Sequence, residues 1–437
     1  MIICFDTIKE IFDNFELEYQ IKFIQINKYF NKNLQITDLY YINKKYRTIF
    51  SKKILKKYPF TNKLNIKENK NVKNVNYLTN LKSLNCYDST LDSNGLKFIQ
   101  LTKLNTIYNY KFNISHMSNL KILNLKLNTI YNYKFNISHM SNLKILKCNS
   151  SCDISDSDIK NLDLIKLSVP SCRFIKNISH MTNLKVLDCR NSCGISNNDI
   201  KNLDLTKLNA FNNSKITIVK HMTNLKVLNC GIFPDDSANN KECIGDDEIM
   251  KLNLHSLYAT NNSKIKNINH MTNLKQLGIS WNCGVSDENI KNLNLITLEA
   301  SRNTKIKKIN HLTNLLNLEM IYNCKIPDDE IKNLNLTKLD IFNNKCIKNI
   351  NHLTNLKVLN CGGNGSLIGD EDISNLNPTS LSIGLNKKIK NINHMTNLKK
   401  LYCVGEDTAL GDDGIKNLNL IKLNSRYNTN IKNINKI

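Results

Sequence analysis

Proline and tryptophan are scarce in this chain: 437 residues carry 5 Pro and a single Trp. Lys, Asn and Ile are over-used beside them, a balance that AT-rich coding produces. The net charge of +24 therefore has a cause other than an anionic partner, and nucleic-acid binding is not the leading expectation. No run approaches the roughly 18 apolar residues of a membrane span, which excludes membrane partnership by that route. The opening MIICFDTIKEIF lacks a basic region followed by a long apolar one, so no secretory signal is expected. G-x-x-x-x-G-K-[ST], G-x-S-x-G and H-E-x-x-H are all missing, and with them the usual signs of nucleotide, hydrolase or zinc-protease chemistry. The 14 Cys include no C-x-x-C pair, and Cys148/Cys152 and Cys189/Cys193 set one residue at a strand end and one past the turn. Most follow an internal repeat, so they read as reduced, buried small hydrophobes of an intracellular protein, cytoplasmic or nuclear and not secreted.

What is present is a repeat. In HMTNLKQLGISWN, His270 to Asn282, the apolar residues Met271, Leu274, Leu277 and Ile279 are followed by Asn282, giving L-x-x-L-x-L-x-x-N. The closing spacing of two predicts a short strand with Leu277 and Ile279 on one face. Strands of this kind are expected near Thr61, Leu81 and onward to Leu420, about eighteen in all. Two kinds of unit alternate, since His270, His311 and His352 stand 41 residues apart. One kind, IKNINHMTNL, has an apolar residue at every third place, which suits a 3₁₀-like path. The other, ISDSDIKNLDL, places Ser155 and Asp158 as a capping box before Ile159, predicting a short α-helix.

Over about 375 residues this pattern resembles the leucine-rich repeat family. The first kind of unit is similar to internalin-type repeats. The second, with Cys189, Cys230 and Cys361 at strand ends, is similar to the cysteine-containing repeats that follow an F-box. The expected fold is an α/β solenoid, a leucine-rich repeat horseshoe of about eighteen parallel strands with short helices and 3₁₀ turns outside, occupying residues 59–437. At the turn after the strand stand Asn69, Asn109, Asn128, Asn213, Asn262, Asn282, Asn303, Asn323, Asn344, Asn364, Asn386 and Asn428, with Cys172 in one unit. An inward Asn ladder satisfying buried backbone groups is expected there.

Residues 1–58 lack the repeat and read as helical. Ile8, Ile11, Phe12 and Phe15, then Ile21, Ile24, Ile26, Asn27, Lys28 and Phe30, resemble the F-box pattern. The family's opening Leu-Pro is absent, and Asn27 stands where Cys is usual. The resemblance implies that Ile8, Ile11, Phe12 and Phe15 contact a Skp-type adaptor. The other reading is a helical cap over the first coil, which a solenoid needs in any case.

Three irregularities stand out. Lys103 to Leu123 recurs identically as Lys126 to Leu146, which leaves the strand register between Leu120 and Leu143 open. Pro234 to Cys243 lengthens one unit and reads as a surface loop. At the end of the chain, Ile431, Ile434 and Ile437 continue the pattern without a distinct cap.

Eight of the nine His recur before the core Met or Leu of one kind of unit, most of them two coils or on the order of 10 Å apart. They cannot share a zinc ion, whose ligands sit at about 2 Å, and no metal or cofactor is implied. The recurrent Asp328-Asp329-Glu330 type segment precedes a short helix and reads as capping rather than as a catalytic acid pair. Lys rows line the strand face: Lys82, Lys121, Lys144, Lys185, Lys226, Lys275, Lys357 and Lys399 in one kind, and Lys103, Lys166, Lys207, Lys338 and Lys422 in the other. A solvated face and an anion-binding face both explain them. One sector departs from this pattern, with Trp281, Arg302 and Tyr322 at one strand position, Glu299, Glu319 and Asp340 at another, and Phe342 beside them. Trp, Tyr and Arg dominate interface hot spots, so this sector is the expected site of a protein target on the strand-lined face. The expected function is non-catalytic protein binding. With the F-box resemblance it becomes substrate reception for a ubiquitin ligase, and without it a plain interaction scaffold or an anion binder through the Lys rows.

Overall fold

The computed structural model describes residues 19–20, 35–40, 47–107, 113–126, 137–148, 154–234 and 242–432. The F-box-like positions Ile8, Ile11, Phe12, Phe15, Ile21, Ile24, Ile26, Asn27, Lys28 and Phe30 lie outside these, as do Asn109, Asn128, Cys152, Ile434, Ile437 and most of the loop after Pro234. The chain forms two compact units, Met1–Leu205 and Thr206–Ile437.

Each unit is a leucine-rich repeat solenoid. In the first, eight described strands pair in parallel and in chain order, from β1 (Asp38–Leu39) and β2 (Lys63–Asn65) to β8 (Val186–Asp188). In the second, eleven do so, from β9 (Lys207–Asn209) to β19 (Lys422–Asn424). Eighteen of the strands are those expected from the Leu spacing, and β1 adds one inside the segment 1–58. Most strands are three residues long, too short to persist alone, so the ladder exists only as a stack. Register follows the core Leu: Leu257, Leu277, Leu298, Leu318 and Leu339 are successive partners, each at 2% exposure or less. A one-residue slip would turn that row to the solvent, which is why it is tightly specified. The duplicated segments obey the same rule, with Leu104 on Leu123 and Leu123 on Leu146. The offset of the duplication is therefore one coil.

The two kinds of unit differ in their turns. Asn69, Asn262, Asn303 and Asn386 are wholly buried, and Asn213, Asn344 and Asn428 nearly so. Asn386 shows why: its amide donates to the carbonyls of Cys361 (3.0 Å) and Ile368 (3.1 Å), and its Oδ1 accepts from Lys388 N (2.8 Å) and Ile389 N (3.0 Å). The ladder does not include Asn282, Asn323 and Asn364, which are exposed. In two of those coils the next residue turns inward instead, as Cys283 and Cys324, both buried. There the backbone closes on itself, Cys324 N donating to Tyr322 O at 2.9 Å, and no side-chain amide is needed.

The outer path matches the two expected kinds with one adjustment. In the first kind, Met271 N bonds Ile268 O and Leu274 N bonds Met271 O, a chain of three-residue turns. In the second, α-helices such as Asp156–Ile159 and Asp328–Ile331 form, but the last two tighten to 3₁₀ turns at Glu371–Ile373 and Asp412–Gly414. The capping box is present at Ser155, whose N–H donates to Asp158 Oδ2 at 2.9 Å. The Asp328-Asp329-Glu330 type segments do not cap: Pro327 and Gly245 stand at the N-caps with no side-chain bond there, and the carboxylates of the first turn join coils instead. Asp328 Oδ1 accepts from Lys348 N in the following coil, while Glu330 Oε2 accepts from Ile309 N and Asn310 N in the preceding one. Asp246 and Glu248 repeat the device, on Lys266 N and Asn267 N and on Val219 N and Lys220 N.

The histidines are likewise used by the fold. His116, His180, His270, His311, His352 and His394 each place Nε2 at 3.1–3.3 Å from a carbonyl in the preceding coil. All twelve described Cys are free thiols, ten of them buried. Burial pushes the Cys86 thiol up to about 12 and those of Cys283, Cys324 and Cys403 to about 11, so they act as inert hydrophobes.

Candidate partner-binding face

The sector singled out in the sequence lies wholly within the second unit, on β12 (Gln276–Gly278), β13 (Thr297–Glu299), β14 (Asn317–Glu319) and β15 (Lys338–Asp340). Pairing places Glu299 beside Glu319 and Glu319 beside Asp340, so the three carboxylates form a row across adjacent strands. At strand spacing the steps are about 4.8 Å. Four residues past each core Leu the chain turns, and there Trp281, Arg302 and Tyr322 all adopt left-handed backbone, with φ of 64°, 58° and 61°.

That conformation belongs to the repeat: Asn191, Asn212, Asn261, Asn343, Gly363 and Gly405 adopt it at the same turn position, and so do Glu68, Asp88, Ser171, Leu385 and Tyr427. Gly takes it freely, and Asn more readily than other side chains, whereas a left-handed L residue ordinarily costs about 1–2 kcal/mol. Three consecutive coils here carry a Trp, an Arg and a Tyr instead. Their side chains stack: the Arg302 guanidinium lies 4.3 Å from the Trp281 ring centre and 4.1 Å from that of Tyr322. Phe342 meets Tyr322 edge to face at 5.9 Å. Neither the guanidinium, the indole N–H nor the Tyr322 hydroxyl hydrogen-bonds to any described residue. The stack holds a cation rigidly between two rings with its donor fork unused.

The carboxylate row is half-buried. Burial, with Glu319 alongside, holds the Glu299 carboxyl above its ordinary range, and Lys338 only partly opposes this. Burial does the same to Asp340, against a bond from Phe342 N and the pull of Lys338. Glu319 accepts from Ser301 Oγ at 3.0 Å. None of the three makes an ion pair with a described residue.

A carboxyl whose folded pKa is raised makes the charged native state less favourable, so stability falls as pH climbs from the ordinary value through the folded one. Replacing Glu299→Gln and Asp340→Asn together should therefore raise Tm by about 1–2 °C at pH 7. The gain should shrink as pH falls through the ordinary carboxyl range and vanish below about pH 3, where both groups are largely protonated in either state. A gain independent of pH would mean that charge is not the cause.

Sequence reasoning missed the neighbour of the row. Tyr258 on β11 (Ser256–Tyr258) leans across Gly278 towards Glu299, and its hydroxyl donates to Gln276 Oε1 at 2.9 Å. A Cβ at Gly278 would stand 2.8 Å from Tyr258 Cδ1 and 3.3 Å from Glu299 Oε2, so only Gly lets the ring lie there. The visible signal was a Gly at a strand position that carries a polar side chain in the flanking coils.

Comparison with protein-family models and with curated proteins finds no match. Solved structures do match. The functional domain of InlJ from Listeria monocytogenes, which includes a cysteine ladder, is 18% identical, with 80% of this chain and 76% of that one covered and a TM-score of 0.41. The internalin InlF from Listeria monocytogenes is 20% identical over 82% of this chain and 86% of its own, with a TM-score of 0.28. A leucine-rich repeat protein of Leptospira interrogans is 18% identical over 89% and 95%, with a TM-score of 0.31. The repeat geometry of the chain itself is what defines its fold.

The Lys row that begins at Lys82 is partly committed within the first and second units. Lys144 and Lys185 bond both the carbonyl and the carboxylate of Asp163 and Asp204, and Lys275 bonds Asn294 O. No helix among the described residues is long and apolar enough to cross a membrane.

Proposed function

We propose that this solenoid is a non-catalytic protein-binding module whose target lands on the face from Trp281 to Phe342, including Glu299, Arg302, Glu319, Tyr322 and Asp340. The observation that carries the reading is the Trp281–Arg302–Tyr322 stack: three successive turns hold bulky side chains against one another, and their polar atoms bond no described residue. The lysines tied to Asp163, Asp204 and Asn294 weigh against a diffuse anion-binding face, because part of one row's charge serves the coils themselves.

The more specific form of this proposal is substrate reception for a ubiquitin ligase in the cytoplasm or nucleus. Residues 1–58 would dock a Skp-type adaptor through Ile8, Ile11, Phe12 and Phe15, and the solenoid would present the target. Its support is the resemblance of those residues to the F-box. Full-length protein mixed with a purified Skp-type adaptor should co-elute with it, and a chain lacking residues 1–34 should not. Failure of the full-length chain to retain the adaptor would remove the ubiquitin role and leave the binding module.

A further inference from the structure

The same face narrows the chemistry of the target, on the reading that this face is the binding site. Across these strands the surface changes character in three steps. Ile296 and Leu316, each more than a third exposed, form an apolar lip just before the strands. The carboxylate row of Glu299, Glu319 and Asp340 comes next. Beyond it rises the aromatic stack, with Phe342 as its nearest ring in sequence. The row is thus a half-dry acidic strip between an apolar lip and a lip of rings that encloses Arg302, in a chain whose net charge is +24.

No ion pair with a described residue neutralises that strip. Lys338 is the one cation that both Glu299 and Asp340 feel, and it is exposed and makes no ion pair with a described residue. Arg302 stands at the turn, held between two rings rather than turned onto the row. Like charges at about 4.8 Å repel, and partial burial deepens the cost. A partner carrying the opposite charge relieves both. We infer that this face binds a protein segment presenting Lys or Arg side chains to the Glu299–Glu319–Asp340 row, with apolar residues on either side seated on the two lips. Charge complementarity selects that occupant: an acidic segment would meet the row head-on, and a small free cation would leave both lips uncovered.

The probe is the fluorescein-labelled peptide Leu-Ala-Lys-Ala-Lys-Ala-Lys-Ala-Leu, titrated with full-length protein and read by anisotropy. A counterpart with Glu for Lys, and spermine as a competitor, are the controls. The Lys peptide should bind saturably and one to one. The triple variant Glu299→Gln, Glu319→Gln, Asp340→Asn should bind it at least tenfold more weakly, as the loss of three partly screened ion pairs implies. Melting temperature checks that the variant is folded. Equal binding by variant and wild type, no binding by wild type, or displacement by spermine as effective as by unlabelled peptide would each overturn the inference. If the Lys peptide fails but Trp281→Asn with Arg302→Asn still abolishes capture of the target, the site stands and only its cationic preference falls. If that pair is also without effect, the site itself is wrong.

Discussion

Replacing Trp281→Asn and Arg302→Asn together should weaken target binding on the order of a hundredfold while leaving the melting temperature unchanged or slightly higher. The binding loss follows from hot-spot behaviour, in which a buried aromatic or Arg anchor is worth about 2 kcal/mol or more. The stability expectation follows from the turn. Asn191, Asn212, Asn261 and Asn343 already occupy the equivalent left-handed position in other coils. Asn is thus the residue this backbone accepts, and the substitution removes recognition while easing the main chain. Measuring both quantities on the same sample separates the roles. Quantitative capture on immobilised protein reads the first and calorimetry reads the second, with Lys144→Ala, Lys185→Ala as the comparison pair. If the comparison pair lost as much binding, the attraction would be spread over the basic face.

Asn386→Ala is expected to be the most damaging small change for the fold, lowering stability by about 3–4 kcal/mol. The side chain is fully buried and serves two carbonyls and two amides at once. Alanine leaves all four without a partner in a space closed to water. The control lies one coil away, where Asn364, exposed, should tolerate Ala within about 0.5 kcal/mol. Urea midpoints of the two variants decide the matter, because a stacked array responds to the loss of a coil contact through its neighbours. Similar midpoints would show that the buried amide does not carry the turn.

These two Asn residues also mark where the sequence is legible and where it is not. Both stand five residues after a core Leu, and spacing alone treats them alike. What separates them is which groups close the turn, and that depends on the coils above and below. Hence Cys283 and Cys324 were seen as Cys of the repeat but not as the inward residues of the second turn type. The strands were legible because a spacing of two has one geometric meaning, and even the duplicated region took the register its Leu residues dictate. The acidic segments were legible only in part. Asp328 and Glu330 mark a helix start, but their reach onto Lys348 N and Ile309 N joins residues about 20 apart. Tyr258 went unnoticed for the same reason, since its relation to Glu299 passes over a glycine in the coil between them. The stack itself was anticipated as a cluster, while its left-handed backbone was not, because no Gly or Asn announced it.

The duplicated segment bears on how such a chain changes over time. Because 23 residues make one whole coil there, a copying event inserts one complete rung and leaves the core row in register, Leu104 on Leu123 and Leu123 on Leu146. Length is then adjustable in discrete steps, since each added rung brings a core Leu of its own. Novelty can accumulate afterwards on the exposed positions alone. A recognition surface on such a stack is assembled rung by rung, as Trp281, Arg302 and Tyr322 are, one from each of three successive coils.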